Sequence, residues 1–218
     1  MHDPTALIVI DMQNAMRSDA LPPRNNPAAE DNIARLQLAW RNAGQPLVFV
    51  RHISRSPTSV FAPGQHGATF QERFLPQPHE HVVEKNVPDA FINTGLERWL
   101  HARALRRLVI AGVSTNNSVE ATARTAGNLG FDVVVVSDAC FTFDKQDFGG
   151  TWRSAEEVHL MALANLHDEY AQVRSTDEVL DSLSHGCPAA RQTKRAAFAC
   201  GPSQFWLPDL DSNQGPAD

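Results

Sequence analysis

Residues 107–130 read RLVIAGVSTNNSVEATARTAGNLG, and they are the part of the sequence most informative about the fold. Its first part, residues 108–113, is a continuous apolar run, which is typical of a strand buried on both faces of a parallel sheet. Four residues that favour helix N-termini follow at 114–117, and apolar or small residues then recur at helical spacing until Gly130. The pattern predicts a buried strand that passes through a tight polar turn directly into a helix.

The turn between this strand and its helix is a suitable place for a reactive group. In open α/β sheets, ligands bind at the carboxyl ends of the strands. A helix start adds unpaired N–H groups and a partial positive charge. The hydroxyl of Ser118 is therefore expected to lie in an electropositive pocket, whereas Thr115 is expected to be a helix cap.

The rest of the chain alternates strands with helices. Further strands are predicted at 6–10, 46–51, 81–84, 131–136 and 172–174. Helices are predicted at 29–42, from about residue 93 or 94 onward, at 154–166 and at 175–183, with long loops at 53–79 and 140–151. This alternation implies parallel pairing with right-handed crossovers, and hence an α/β fold, a three-layer α/β/α sandwich around a central parallel sheet of about six strands.

The chain is predicted to divide at residue 184. Residues 1–184 form the α/β domain, and residues 185–218 carry four prolines with no sustained period. Such a segment cannot bury a core of its own, so it is predicted to be a disordered tail.

Composition narrows the classes of partner. A formal net charge of −6 leaves no basic surplus for phosphates, which argues against a nucleic acid or an acidic membrane as partner. No apolar run approaches the roughly 20 residues that a membrane-spanning helix needs, and the N-terminus leads into a strand without signal-peptide features. The three cysteines have the spacing of neither a metal site nor a disulfide framework. We expect a soluble cytoplasmic protein.

Polar residues follow the first three predicted strands. Asp11 comes after the first strand, Arg51 and His52 end the second, and Lys85 follows the third. Because the carboxyl ends of parallel strands meet at one edge of a sheet, Asp11 and Lys85 are expected near the turn that carries Ser118. From the residues alone, two alternatives remain: Asp11 could only shape a turn, and Lys85 could only be a solvated surface charge.

Several pieces of the chain together resemble the isochorismatase-like, or cysteine hydrolase, superfamily. These pieces are residues 8–13 (IVIDMQ), Lys85 with 90–91 (AF) and Leu96, 112–115 (GVST), Val119 with 121–123 (ATA), and 136–139 (VSDA). They occur in the family's order and span about residues 5–183. The resemblance implies a Rossmann-like α/β/α sandwich and, as in the family's amidohydrolases, an Asp–Lys–Cys triad.

By position, the resemblance makes Asp11 the aspartate and Lys85 the lysine of this triad, and the cysteine position is occupied by Ser118. It also implies a cis peptide between Val113 and Ser114, with N–H groups near Ser114 and Ser118 as oxyanion donors. The substrate pocket is expected to be shaped by three further residues, namely Gln13, Phe91 and Trp152.

The resemblance implies a metal only for some members of the family. Nicotinamidase-like members bind a metal through an Asp-x-His pattern after the second strand. Here that place reads Val50-Arg51-His52, without the aspartate. We therefore expect no metal, and no other cofactor is implied.

A serine at position 118 leaves three functions open. In the first, Ser118 is the nucleophile of a hydrolase that acts on a small amide, imide or related C–N bond. A hydroxyl is less acidic than a thiol, so Asp11 would take its proton while Lys85 holds the developing charge. In the second, Asp11 acts as an acid without a covalent intermediate, as in isochorismatases proper, which cleave a vinyl ether. In the third, a natural or engineered change has silenced the site and left a binding or assembly protein.

The expected partners are a small-molecule substrate and further copies of the chain. Members of the family are often oligomers, so a homo-oligomer is expected here. Its interface is predicted to use three side chains that are expected to be exposed, namely Trp152, Val158 and Met161.

Overall fold

The computed structural model describes residues 4–185, which form a six-stranded sheet and a small two-stranded one. The strands, in chain order, are β1 (Thr5–Ile10), β2 (Leu47–His52), β3 (His81–Lys85), β4 (Arg107–Val113), β5 (Asp132–Phe141), β6 (Lys145–Gln146), β7 (Trp152–Arg153) and β8 (Gln172–Arg174). The large sheet has the order β3-β2-β1-β4-β5-β8, and all of its neighbouring strands are parallel. The predicted parallel sheet of about six strands is confirmed.

Helices cover both faces of this sheet. They are α1 (Ala29–Asn42), α2 (Leu96–His101), α3 (Glu120–Asn128), α4 (Ala155–Leu166) and α5 (Thr176–His185). One buried cluster packs α2, α3 and α4 against the sheet, and a second packs α1 and α5 against its other face. This arrangement confirms the predicted three-layer α/β/α sandwich.

Strand β1 lies at the centre because both of its faces are apolar. Ile8 and Ile10 belong to the cluster on one side of the sheet, and Leu7 and Val9 belong to the cluster on the other. Burying a side chain of this size stabilises the fold by about 1.5–3 kcal/mol. The strand is therefore fixed by packing from both layers, and the residue that follows it, Asp11, is held in a defined place.

Strand β5 is longer than predicted. The sequence indicated 131–136 because the polar pair Ser137-Asp138 ends the apolar run. The strand instead continues to Phe141, because a register shift between Ile110 and Gly112 of β4 lets residues 140 and 141 pair again. Part of the predicted loop 140–151 is likewise structured, since the antiparallel strands β6 and β7 flank residues 147–151.

The turn after β4 also differs from the prediction. Residues Thr115–Val119 form one turn of π-helix, and the α-helix α3 begins only at Glu120. The second helix begins at Leu96, two or three residues later than predicted. Just before it, the hydroxyl of Thr94 donates a hydrogen bond to the carbonyl of Ala90 at 2.6 Å. The long loop 53–79 contains two single turns of 3-10 helix, His66–Ala68 and Glu72–Phe74.

The predicted tail lies outside the described residues, apart from its first residue. His185 is the last residue of α5, so the closing helix extends slightly past the predicted boundary at 184. In the part of the chain that the structure describes, no helix has the length and apolar character needed to cross a membrane.

Candidate active site

Asp11 and Lys85 form a buried ion pair at the carboxyl edge of the sheet. Asp11 directly follows β1 and has a positive φ of 53°, and Lys85 is the last residue of β3. Lys85 Nζ donates to Asp11 Oδ2 at 2.7 Å. The two strands are separated by β2, whose last residue, His52, is paired in register with Lys85. The lysine therefore reaches across one strand to its carboxylate.

Ser118 approaches the same ammonium from the other side of β1. It lies in the π-helical turn that follows β4, and it is 7% exposed. Lys85 Nζ donates to Ser118 Oγ at 3.2 Å. The structure thus brings together the three side chains that the sequence placed at strand ends, with the ammonium of Lys85 between the carboxylate and the hydroxyl.

The electrostatics of the pair are dominated by burial. Removal of water raises the pKa of Asp11 above the usual aspartate value, although the nearby charge of Lys85 and hydrogen bonds from Lys85 and Ser118 oppose the rise. Asp11 Oδ1 has no hydrogen-bond partner among the described residues. A buried oxygen left without a partner is costly. Oδ1 is therefore the atom best placed to receive a proton or to bind a ligand's hydrogen.

His52 lies beside this pair and is neutral at pH 7. Burial lowers its pKa, the charge of Lys85 lowers it further, and Asp11 only partly offsets these effects. Its ring is half-buried and packs edge-on against Phe61, with 5.6 Å between ring centroids. The site therefore holds one ammonium and one carboxyl group rather than a second cation.

The turn that carries Ser118 is fixed by its own backbone and by side chains from elsewhere. The Ser114 carbonyl accepts from the N–H groups of Asn117 and Val119, both at 3.1 Å. The peptide bond between Val113 and Ser114 is cis, as the resemblance implies. Because both hydrogen bonds converge on one carbonyl, the backbone on either side of Ser118 is tied to the end of β4.

Two hydrogen bonds between side chains also hold the turn that carries Ser118. Thr115 Oγ1 lies 2.8 Å from His159 Nδ1, and Thr142 Oγ1 donates to Asn116 Oδ1 at 2.5 Å. Thr115 was predicted to be a helix cap, but Ser114 occupies the N-cap position and the Thr115 hydroxyl instead contacts a residue of α4. The turn is therefore joined to α4 and to the end of β5.

Strand β4 approaches β1 closely at Gly112. This residue has φ +132°, and a Cβ added there would lie 2.1 Å from the carbonyl oxygen of Ile10. Only glycine fits both the backbone conformation and the space. The close approach sets the end of β4 directly beside the end of β1, and so sets Ser118 near Asp11.

The predicted pocket residues are not equivalent. Gln13 is fully buried, and its amide holds three backbone groups: it donates to the carbonyls of His52 at 2.9 Å and Ala68 at 2.8 Å, and it accepts from the His52 N–H at 2.8 Å. Phe91 is 8% exposed and packs near Phe131 with 5.9 Å between ring centroids. Trp152 lies on the hairpin strand β7 and is 63% exposed. Gln13 thus positions the edge of the site, and Trp152 is on the surface.

One residue of this region was not found from the sequence. His159 lies on the buried face of α4, where it is 3% exposed and spaced three or four residues from the buried Ala155 and Ala162. A histidine at this spacing was the only available signal, and it gave no indication of the residue that it contacts. Within residues 4–185, no three His, Cys, Asp or Glu side chains are grouped as metal ligands would be.

Comparisons with known proteins agree with this architecture. The family model described as "Isochorismatase domain" matches residues 5–178. A crystal structure of an isochorismatase-family protein from Chromobacterium violaceum is 50% identical, has a TM-score of 0.82, and covers 84% of this chain and 95% of its own. An uncharacterized isochorismatase family protein of Bacillus subtilis is 36% identical over 183 residues, which are 84% of this chain and 98% of that protein. Nicotinamidase 3 of Arabidopsis thaliana is 33% identical over 192 residues, with 82% and 88% of the two chains covered.

Proposed function

Because the chain belongs to the isochorismatase family of hydrolases, we propose that it hydrolyses a small amide, imide or related C–N bond, with Asp11, Lys85 and Ser118 as its catalytic residues. One observation carries the proposal: a single buried ammonium, that of Lys85, contacts both the carboxylate of Asp11 and the hydroxyl of Ser118. A base, a cation and a nucleophile in one buried site are the parts that acyl transfer requires.

The first half of the reaction transfers the acyl group to the enzyme. Asp11 takes the proton of Ser118 as Oγ forms a bond to the carbonyl carbon, and the carbonyl electrons move to its oxygen. N–H groups near Ser114 and Ser118 are proposed to hold this oxyanion. The oxyanion then collapses, the C–N bond breaks, and Asp11 returns the proton to the leaving nitrogen.

The second half releases the acid. Asp11 takes a proton from water, whose oxygen attacks the acyl carbon, and the bond to Ser118 Oγ breaks with return of that proton to the serine. The raised pKa of Asp11 suits both halves, because the group must accept and then donate a proton near neutral pH. The ammonium of Lys85 stabilises the negative charge that forms on the serine oxygen.

A nitrogen leaving group is supported by the similarity of this chain to a relative whose name refers to an amide. Nicotinamidase 3, whose name refers to an amide, is among the relatives that cover most of this chain. Ser118 is proposed to stand where the family's amidohydrolases carry their cysteine, and Phe91 to lie at the edge of the substrate pocket. The substrate is therefore expected to be a small molecule with a carbonyl bonded to nitrogen.

A second candidate function has an observation of its own. The raised pKa of Asp11 and its unpartnered Oδ1 also fit a carboxyl group that holds a proton and acts as an acid. In this reaction Asp11 protonates a vinyl ether, water completes the hydrolysis, and Ser118 takes no covalent part.

The experiment compares Ser118→Ala, Ser118→Cys and the unchanged protein on a panel of small amides and imides and on a vinyl ether. We expect the unchanged protein to release ammonia or amine from at least one amide and Ser118→Ala to lose this activity at least about a hundredfold. We also expect an acyl adduct on the peptide that contains Ser118, detected by mass spectrometry after rapid quenching. The control is Ser184→Ala, an exposed serine of α5, which should retain full activity.

Other outcomes have defined meanings. Full amide hydrolysis by Ser118→Ala contradicts the nucleophilic role and, together with vinyl-ether cleavage, favours acid catalysis by Asp11. Amide hydrolysis that appears only in Ser118→Cys contradicts a working serine and favours a silenced site in a binding or assembly protein.

A further inference from the structure

We propose that His159 is a positioning residue, which holds the π-helical turn through its hydrogen bond to Thr115 and thereby sets the direction of the Ser118 hydroxyl. The inference rests on the proposed function, because it gives His159 a role in the reaction of Ser118.

The bond between the two side chains is short and fully enclosed. Thr115 Oγ1 and His159 Nδ1 are 2.8 Å apart, and the two residues are 0% and 3% exposed. They are 44 positions apart in the chain, so the bond joins the turn after β4 to the middle of α4. Loss of either partner leaves the other as a buried polar group without this hydrogen bond.

The other ring nitrogen of His159 has no comparable partner among the described residues. Asn26 Nδ2 lies 3.4 Å from His159 Nε2. However, this amide nitrogen already donates to the carbonyls of Ser137 at 2.9 Å and Cys140 at 2.7 Å. A primary amide has only two hydrogens, so none remains for the ring. The contact with Thr115 is therefore the shorter and better satisfied of the two polar contacts that orient the imidazole.

The ring is suited to a neutral hydrogen bond. Burial lowers the pKa of His159, and only Glu156 opposes this effect, so the imidazole is uncharged at pH 7. A neutral imidazole has one N–H and one bare nitrogen, and a threonine hydroxyl can donate to the bare nitrogen or accept from the N–H. The hydrogen bond between Thr115 and His159 can therefore form with either tautomer of the imidazole.

The π-helical turn links the position of Thr115 to the position of Ser118, the proposed nucleophile. Thr115 and Ser118 belong to the same π-helical turn, and the N–H groups of Asn117 and Val119, on either side of Ser118, both bond to one carbonyl. A shift at Thr115 therefore carries Ser118 with it. Ser118 Oγ is 3.2 Å from Lys85 Nζ, so a displacement of an ångström breaks this contact. Misplacement on that scale costs about a hundredfold in rate.

A histidine that only satisfies a buried threonine would affect stability and nothing else. The two roles are separated by four variants: His159→Leu and Thr115→Val remove the bond, and His159→Asn and Thr115→Ser keep it. An asparagine amide can place a nitrogen or oxygen near the position of Nδ1, and serine keeps the hydroxyl. Melting temperatures establish that each variant is folded.

The first readout does not depend on hydrolysis. Each variant is combined with Ser118→Cys, and the rate of alkylation by iodoacetamide at position 118 is followed by peptide mass spectrometry. Burial raises the pKa of the Cys140 thiol to about 12, so this cysteine stays unreactive, and peptides containing Cys187 and Cys200 are resolved separately. We expect His159→Leu and Thr115→Val to slow alkylation about tenfold or more, and His159→Asn and Thr115→Ser to remain within about threefold of the parent.

The second readout is kcat and KM on the amide substrate without Ser118→Cys. We expect the two bond-removing variants to lower kcat about ten- to hundredfold with little change in KM, and the two bond-keeping variants to retain it. Unchanged alkylation and kcat in folded Thr115→Val overturn the proposal, and this nearly isosteric variant decides the matter if His159→Leu does not fold. Slower alkylation in a protein without amidase activity supports the positioning role and contradicts the proposed function.

Discussion

Lys85 Nζ lies 2.7 Å from Asp11 Oδ2, with the two side chains only 0% and 2% exposed. Both charges have therefore left water, and each is compensated mainly by the other. A buried pair of this kind is not a strong source of stability, but breaking it leaves one charge without compensation. The arrangement ties the chemistry of the site to the stability of the fold.

Removal of the cation is expected to destabilise the protein strongly at high pH. Lys85→Met leaves the carboxylate of Asp11 unpaired, which costs about 3–5 kcal/mol in the free energy of unfolding. The cost should be smaller at pH 5 than at pH 8, because protonation removes the buried charge. Urea-induced unfolding at the two pH values measures this difference. The control is Lys85→Met combined with Asp11→Asn, which should recover stability at pH 8, whereas equal stability of Lys85→Met and the unchanged protein would contradict the prediction.

The pH profile of the hydrolysis is expected to report Asp11. Its pKa is raised, chiefly by burial, and the carboxyl group must be ionised to accept the hydroxyl proton. Activity should therefore fall with decreasing pH, with a midpoint above the ordinary aspartate value of about 3.9. The measurement is kcat/KM between pH 4 and 8, with circular dichroism to establish that the fold persists. A flat profile down to pH 4 would exclude Asp11 as the base.

Gly112 is expected to tolerate no side chain. In Gly112→Ala the new Cβ would lie 2.1 Å from the Ile10 carbonyl oxygen at a φ of +132°. The strands β1 and β4 would have to separate at the site, so a loss of more than about 4 kcal/mol, or failure to fold, is expected. The control is Gly130→Ala, which has φ +85° but nothing within 4 Å, and which should cost only about 1 kcal/mol. Similar unfolding curves for the two variants would show that space at Gly112 is not limiting.

Local pattern indicated strand ends for the three main residues of the site, and the family resemblance indicated that they act together. Asp11 and Lys85 lie at the ends of predicted strands and Ser118 lies in the turn after another, and parallel strands bring such ends to one edge of the sheet. The extension of β5 was missed because it depends on a register shift in β4, which has no local signature. The contact between Thr115 and His159 was missed for a similar reason, since 44 positions separate the partners and each alone has an ordinary interpretation.

The expected homo-oligomer stays a prediction, with a surface now available to test it. Trp152 and Met161 are 63% and 64% exposed, whereas Val158, predicted to be exposed with them, is half-buried. Phe148, between β6 and β7, is fully exposed. We expect Trp152→Ser combined with Met161→Glu to lower the mass measured by light scattering to that of one chain, because a charge would replace apolar contact. Leu38→Glu on α1 is the control, and a single-chain mass before any change would remove the idea.

The contribution of two histidines to stability is expected to decline as the pH falls below the ordinary histidine value of about 6.5. The pKa values of His52 and His159 are both lowered, with burial as the largest cause. The unfolded chain therefore binds protons at these histidines that the folded chain does not bind, so their contribution lowers the free energy of unfolding as pH falls from 7 toward 5. The raised pKa of Asp11 acts in the opposite direction, so the test compares the slopes of two variants. His159→Asn should show a shallower decline, because asparagine can keep the bond to Thr115 and has no proton to gain. Urea-induced unfolding at several pH values gives both slopes, and a slope in His159→Asn equal to that of the unchanged protein would show that His159 does not resist protonation in the fold.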